Sequence, residues 1–186
     1  ITQTSGVADR SPVWSPDGQQ LAWFSDESGE YHLMIGDQEG LTPPKKIQLP
    51  TKTFYFKPEW SPDGKFIAYT DTNYNLWFVN VSTGAAKIAD TERYAHPNRS
   101  LNPIWSPDSK WIAYARLLDS QFKAIFVYNI ETGKKIQVTD GMADAISPVW
   151  DAKGEYLYFL ASTNFGLNTG WLDMSSYDRP TTRGLY

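Results

Sequence analysis

Apolar and polar positions alternate along this chain in short runs separated by turn formers, and the runs recur in a fixed order. Pro12-Val13-Trp14 leads through Ser15-Pro16-Asp17-Gly18 into Leu21-Ala22-Trp23. Pro58-Glu59-Trp60 leads through Ser61-Pro62-Asp63-Gly64 into Ile67-Ala68-Tyr69, and Pro103-Ile104-Trp105 through Ser106-Pro107-Asp108-Ser109 into Ile112-Ala113-Tyr114. A degenerate copy starts at Trp150-Asp151-Ala152-Lys153-Gly154. Proline presets φ in the turn, aspartate binds local backbone, and glycine tolerates positive φ. Apolar residues flank the turn on both sides, so each copy predicts a tight β-hairpin.

Further aromatic and aliphatic runs follow at 31–35, 76–79 and 125–128. Two of them end in a second shared turn, Asn80-Val81-Ser82-Thr83-Gly84 and Asn129-Ile130-Glu131-Thr132-Gly133. Lysine-isoleucine strands come last, at Lys46-Ile47, Lys87-Ile88 and Lys135-Ile136. The four tryptophans stand 46, 45 and 45 residues apart. Four strands in a period of that length make the blade of a β-propeller. The predicted fold is all-β, with four antiparallel four-stranded repeats near 7–49, 53–90, 98–139 and 143–186, forming part of a six- to eight-bladed ring. One blade cannot bury its apolar face alone, so the copies must stack. Ala22, Ala68 and Ala113 are small enough to let a neighbouring sheet approach, whereas Tyr158 stands at the fourth position. Trp14, Trp60, Trp105 and Trp150 are expected at equivalent buried positions between blades.

The ends of the chain carry the same period. Thr4-Ser5-Gly6-Val7-Ala8-Asp9 matches Thr139-Asp140-Gly141-Met142-Ala143-Asp144, which closes one repeat and opens the next. The first residues therefore read as the tail of a preceding blade, and residues 181–186 as the start of a third strand. Two arrangements satisfy this: a piece of a larger propeller, or a closed set in which Ile1 to Thr4 supplies the outermost strand of the fourth blade. The second would cover an open sheet edge. Residues 162–179 depart from the repeat and predict a long protruding loop.

Charge narrows the functional classes. A net charge of −4 and the absence of a lysine-arginine run speak against nucleic acid as a partner. No apolar stretch reaches the roughly 20 residues of a membrane span. The absence of cysteine removes disulfides and thiolate metal sites.

Candidate chemistry is sparse. His32 and His96 are the two histidines; His32 falls in a predicted outer strand and His96 in a loop between repeats. No Gly-x-Ser-x-Gly elbow occurs, so no catalytic residue is assigned. Asp71-Thr72-Asn73-Tyr74-Asn75 alternates oxygen ligands like the start of a calcium loop but lacks its glycine and terminal glutamate, and reads as an ordinary turn. Neither metal nor cofactor is expected. Residues assigned to ligand-facing loops are Arg10, Tyr55, Lys57, Arg93, His96, Arg99, Asp144 and Trp171. Arginines beside aromatics suit a peptide, whose carboxylate accepts charge-assisted hydrogen bonds and whose side chains pack on rings.

The repeated Pro-x-Trp-Ser-Pro-Asp-Gly-x-x-Ile-Ala-Tyr unit resembles the propeller repeats of the TolB protein and the tricorn-type peptidases. Two stretches are closer to the tricorn group, Phe24-Ser25-Asp26-Glu27-Ser28-Gly29-Glu30-Tyr31 and residues 158–164 followed by 171–177. They resemble the later part of the second propeller in tricorn homologues. The resemblance implies a non-catalytic module that gates or channels peptides toward a serine active site housed elsewhere. Its implied partners are peptides or unfolded polypeptide, further blades, and the PDZ-like and catalytic domains of a parent protein, with a homo-oligomer also compatible. The chain is expected to be soluble, with the cytoplasm favoured and the periplasm as the alternative. The competing functions are a TolB-like interaction propeller and a propeller enzyme with chemistry in its own channel. The latter needs clustered acids, arginines or histidines, and the loop residues show no such repeated pattern.

Overall fold

A computed structural model describes residues 5–94, 101–165, 168–169, 172–173 and 181–186, and these contain strands and no helix. Blade 1 is β1 (Asp9–Trp14), β2 (Gln20–Ser25), β3 (His32–Asp37) and β4 (Lys45–Gln48). Blade 2 is β5 (Tyr55–Trp60), β6 (Phe66–Asp71), β7 (Asn75–Asn80) and β8 (Ala86–Thr91). Blade 3 is β9 (Ile104–Trp105), β10 (Trp111–Leu117), β11 (Lys123–Asn129) and β12 (Lys135–Gln137). Each is an antiparallel meander of four strands in chain order. Blade 4 has three described strands, β13 (Asp144–Trp150), β14 (Leu157–Ser162) and β17 (Gly184–Leu185). Between β14 and β17, β15 (Asn168–Thr169) pairs with β16 (Leu172–Asp173). Thus 181–186 does supply the third strand, while part of the expected protruding loop forms a small ribbon of its own. Residues 1–4, invoked for an outermost strand, lie outside the described residues.

The chain divides into two compact units, Ile1–Thr91 with blades 1 and 2, and Glu92–Tyr186 with blades 3 and 4. Blades 1 to 3 turn by the same device. Ser15 Oγ donates to Asp17 Oδ1 at 2.6 Å and accepts the Gln20 amide at 2.9 Å, while the Gln19 amide donates to Asp17. Ser61 with Asp63, and Ser106 with Asp108, repeat this arrangement. The turn demands positive φ four residues past the tryptophan. Glycine supplies it at Gly18, Gly64 and Gly154, and Ser109 adopts it at 61°. In the degenerate copy Asp151 alone accepts the amides of Lys153 and Tyr156. One carboxylate there replaces a hydroxyl and a carboxylate. The asparagine turns form as expected, with Asn80 Oδ1 and Asn129 Oδ1 each accepting two following amides.

The tryptophans occupy equivalent ends of β1, β5, β9 and β13, but they are not equally buried. Trp60 is 6% and Trp105 7% exposed, Trp150 is half-buried, and Trp14 is 53% exposed. The expectation of uniform burial is therefore corrected. Trp60 faces blade 1, where its indole N–H donates to Val13 O at 3.3 Å. Trp14 projects from the opposite face of blade 1, and no described sheet of its unit covers that face. Ala22, Ala68 and Ala113 are fully buried, as close stacking requires.

A second repeated feature was not expected from the sequence. β1, β5 and β13 each carry a register shift three residues before the tryptophan. Ser11, Lys57 and Ser147 sit there at φ of 53°, 51° and 54°. Each precedes a proline, which cannot donate to the ladder and within a sheet belongs at a bulge or an edge.

Candidate functional site

The residues assigned to ligand-facing loops separate into three groups. Arg10 and Lys57 lie on the first strands of blades 1 and 2. The Arg10 guanidinium stands 5.5 Å from the ring centre of Phe54 and 5.9 Å from that of Phe56. Phe54 is about half exposed and packs against Tyr31 at 5.3 Å. Lys57 is exposed at the bulge. Guanidinium over an aromatic face is attractive, and it leaves N–H donors at the rim for an incoming acceptor.

Tyr55 and Asp144 correct the sequence-based placement, because both are buried on strands. Tyr55 is 2% exposed. Its ring stacks on Phe24 at 5.4 Å and meets Tyr69 edge-on at 5.5 Å, and its hydroxyl donates to Thr51 O. Burial pushes its phenol up from the usual range. Asp144 is 1% exposed, and Oδ1 accepts the Lys123 amide at 2.9 Å. Arg183 Nη1 lies 2.9 Å from Oδ2 and donates an aligned hydrogen bond to Asp144 O at 3.1 Å. The Arg183 guanidinium also lies 5.3 Å from the Phe165 ring centre. Asp144 thus ties β17 to β13. A partner 39 residues downstream leaves no local mark in the sequence.

Arg93 is exposed and contacts Asp119 at 3.3 Å, and Tyr94 donates its hydroxyl to the same carboxylate at 2.9 Å. That hydrogen bond holds the Tyr94 phenol above its usual range. Beside them Glu92 is buried and accepts the Leu117 amide at 3.1 Å. His96, Arg99 and Trp171 lie outside the described residues. His32 is half-buried and occupied locally, with Nδ1 2.7 Å from Glu30 O and 3.0 Å from Ser28 Oγ. The calcium-like turn is an ordinary one. Asp71 Oδ1 accepts the Asn75 amide, and Oδ2 accepts Asn75 Nδ2 and the Trp77 indole N–H. Among the described residues no three acids or histidines are grouped as a metal would need.

Residues 1–168 match the family described as the tricorn protease second beta propeller domain. The chain belongs to that family. In structure it is similar to the tricorn protease, with a TM-score of 0.72 at 21% identity over 86% of this chain and 16% of that one. A TolB described as putative, from Agrobacterium tumefaciens, matches with a TM-score of 0.57 at 23% identity, over 84% of this chain and 55% of that one. Both likenesses concern the propeller fold. In sequence the chain is 29% identical over 153 residues to the uncharacterized peptidase YuxL of Bacillus subtilis (strain 168). It covers 21% of that protein's length. The tricorn assignment agrees with the repeat reading, and the described strands reproduce the blade. No helix among the described residues is long and apolar enough to cross a membrane.

Proposed function

We propose that this tricorn-type propeller is a non-catalytic module of a serine peptidase, which admits and orients peptides on their way to an active site outside the chain. The observation that supports this is the cluster of Arg10 and Phe56 on first strands with Phe54 at the entry to β5, since first strands in a propeller line the axial channel. A peptide backbone offers carbonyl and carboxylate acceptors for the guanidinium, and its side chains pack on the half-exposed Phe54 ring. Lys57 adds a positive charge beside the rings. Nothing in the cluster pairs a nucleophile with a base, so its chemistry is recognition rather than bond cleavage.

The test uses the full-length parent protein. Arg10→Ala combined with Phe54→Ala is expected to lower kcat/KM for long peptides by at least about tenfold, the size of one lost charge-assisted contact. Turnover of a two-residue reporter substrate should be unchanged. Equal turnover of long peptides by the folded double variant would overturn the gating role. It would favour a TolB-like interaction module, in which the surface engages a protein partner and leaves turnover unaffected.

A further inference from the structure

The two units carry the same repeat but fill the space between their blades differently. In blades 1 and 2, Phe24 pairs with Arg10 and is fully buried, stacked on Tyr55. Ten residues past its tryptophan, as Phe24 is, blade 3 has Ala115. Five residues before the next tryptophan, where blade 2 has Tyr55, blade 4 has Ala145. One position further, Phe56 is answered by Ile146. His32 pairs with Ser25 and Ala124 with Arg116 at matched places, so Tyr31 is answered by Lys123. Four aromatics in one unit become two alanines, an isoleucine and a lysine in the other.

Leu157, Phe159 and Ala161 pack against the Ala115–Ala145 side, and the described residues leave open the side lined by Ala115 and Ile146. β9 has two residues, whereas β1, β5 and β13 have six, six and seven. A cavity of about 230 Å³ opens there, lined by Asn102, Ile104, Ala115, Lys123, Ile146, Ser147 and Pro148. Its apolar walls lie between Ala115, Ile104, Ile146 and Pro148, and Lys123, Asn102 and Ser147 bring polar groups. The nearby carboxylate of Asp144 is already paired with Arg183. Among the described residues no carboxylate is paired with the Lys123 ammonium.

We propose that this cavity binds the C-terminal residue of a peptide with a large apolar, preferably aromatic, side chain. The side chain takes the place beside Ala115 that Phe24 fills from within in the other unit, and the terminal carboxylate meets Lys123. The proposal rests on the reading of the module as one that handles peptides, and it names which peptide end is held. Free phenylalanine shares the recognised chemistry, so the experiment separates the two sources.

The test titrates the full-length protein with N-acetyl-Gly-Gly-(4-fluoro)Phe, its C-terminal amide and free 4-fluorophenylalanine, following the fluorine resonance. Saturable binding of the free-acid peptide is expected. Ala115→Phe, which copies blade 1, should abolish it. Lys123→Met, at the rim, should weaken it about tenfold, as should the amide, the loss of a charged hydrogen bond. Ala115→Phe and Lys123→Met are read in this titration and Arg10→Ala in the turnover of long peptides, so a failed gating role and a failed cavity give different results. Undiminished binding by Ala115→Phe, or equal affinity for acid and amide in wild type and Lys123→Met, would overturn the assignment. Binding of free 4-fluorophenylalanine without the peptide would overturn the peptide as ligand. If Ala115→Phe does not fold, Lys123→Met and the amide decide alone.

Discussion

Blades 1 and 2 close on aromatic rings, and blades 3 and 4 close on alanines. In the first unit Phe24, Tyr55, Tyr69 and Trp77 form a continuous set, with ring centres 5.4 to 6.4 Å apart in edge-on and stacked pairs. In the second, Ala115, Ile125 and Ala145 form the buried cluster, with Leu157, Phe159 and Ala161 packed against it. The strand order is the same, and apart from the shortened β9 the backbone does not cause the difference. It follows from which side chains the repeat carries at matched positions. A repeat fold can therefore vary its interblade space without changing its topology, because each interface is a nearest-neighbour term.

The largest effect that would test this contrast is Phe24→Ala. The ring is fully buried among two other rings. Its loss should cost about 3–5 kcal/mol, from lost transfer and the cavity left behind. Chemical denaturation of wild type and variant measures it. A loss below about 1 kcal/mol would mean that the first unit relaxes as readily as the second, and the contrast would fail.

The second unit relies more on charge. Asp144 receives the Lys123 amide and the Arg183 guanidinium while almost wholly removed from water. Removing one partner leaves a cation that is only partly hydrated, with 21% of the Arg183 side chain exposed. Asp144→Ala is expected to destabilise by about 3 kcal/mol and to release β17 from β14. Amide exchange at Phe159 and Tyr186, which bond each other's carbonyls at 3.1 and 3.0 Å, reports that release. Unchanged protection there would assign β17 to strand pairing alone.

The repeat, its turns and the strand order were legible because each rests on local chemistry at fixed spacing. Ser-Pro-Asp-Gly specifies its own hydrogen bonds, and Asn80 and Asn129 specify theirs. The bulges before Trp14, Trp60 and Trp150 were legible in principle, since the proline two residues ahead of each cannot sit in a regular ladder; Pro103 holds the same place before Trp105, and there β9 begins only after it. Burial of Tyr55 and Asp144 was less accessible. Position in a linker suggested exposure, but their partners, Phe24 and Arg183, come from distant strands. The uneven burial of the tryptophans depends on which faces meet, and repeat spacing does not report that. The replacement of Phe24 by Ala115 could be read from the aligned copies, yet only the shortened β9 shows that the space stays open.

A smaller effect separates the turns themselves. Ser109 holds φ of 61° where the other copies have glycine at 69° to 73°. A non-glycine residue in this region is strained by about 1 kcal/mol. Ser109→Gly should therefore stabilise the second unit by up to about 1 kcal/mol, seen as a raised unfolding midpoint. Gly64→Ser should cost the first unit a similar amount. A loss of stability in Ser109→Gly would show that the buried Ser109 side chain outweighs the backbone strain.

The smallest expected difference lies in acid. The Ser15 hydroxyl and the Gln19 amide hold the Asp17 carboxyl below the usual 3.8. At Asp63 burial pushes the carboxyl up, but the Ser61 hydroxyl and Lys65 outweigh it, and the net shift is downward. The Tyr156 amide, followed by the Lys153 amide, lowers Asp151. A folded value below the unfolded one stabilises above the unfolded value, and that contribution is lost as pH falls through the folded value. The window is thus below about pH 4. In blades 1 to 3 a serine hydroxyl accepts the hairpin's key amide, at Gln20, Phe66 and Trp111, and it persists when the aspartate protonates. In blade 4 the Tyr156 amide rests on Asp151 itself at 2.8 Å. Amide shifts followed from pH 6 to 2.5 should move most at Tyr156 and least at Phe66. Equal movement would show that the serine gives no protection, and that the degenerate turn is equivalent to the three it replaces.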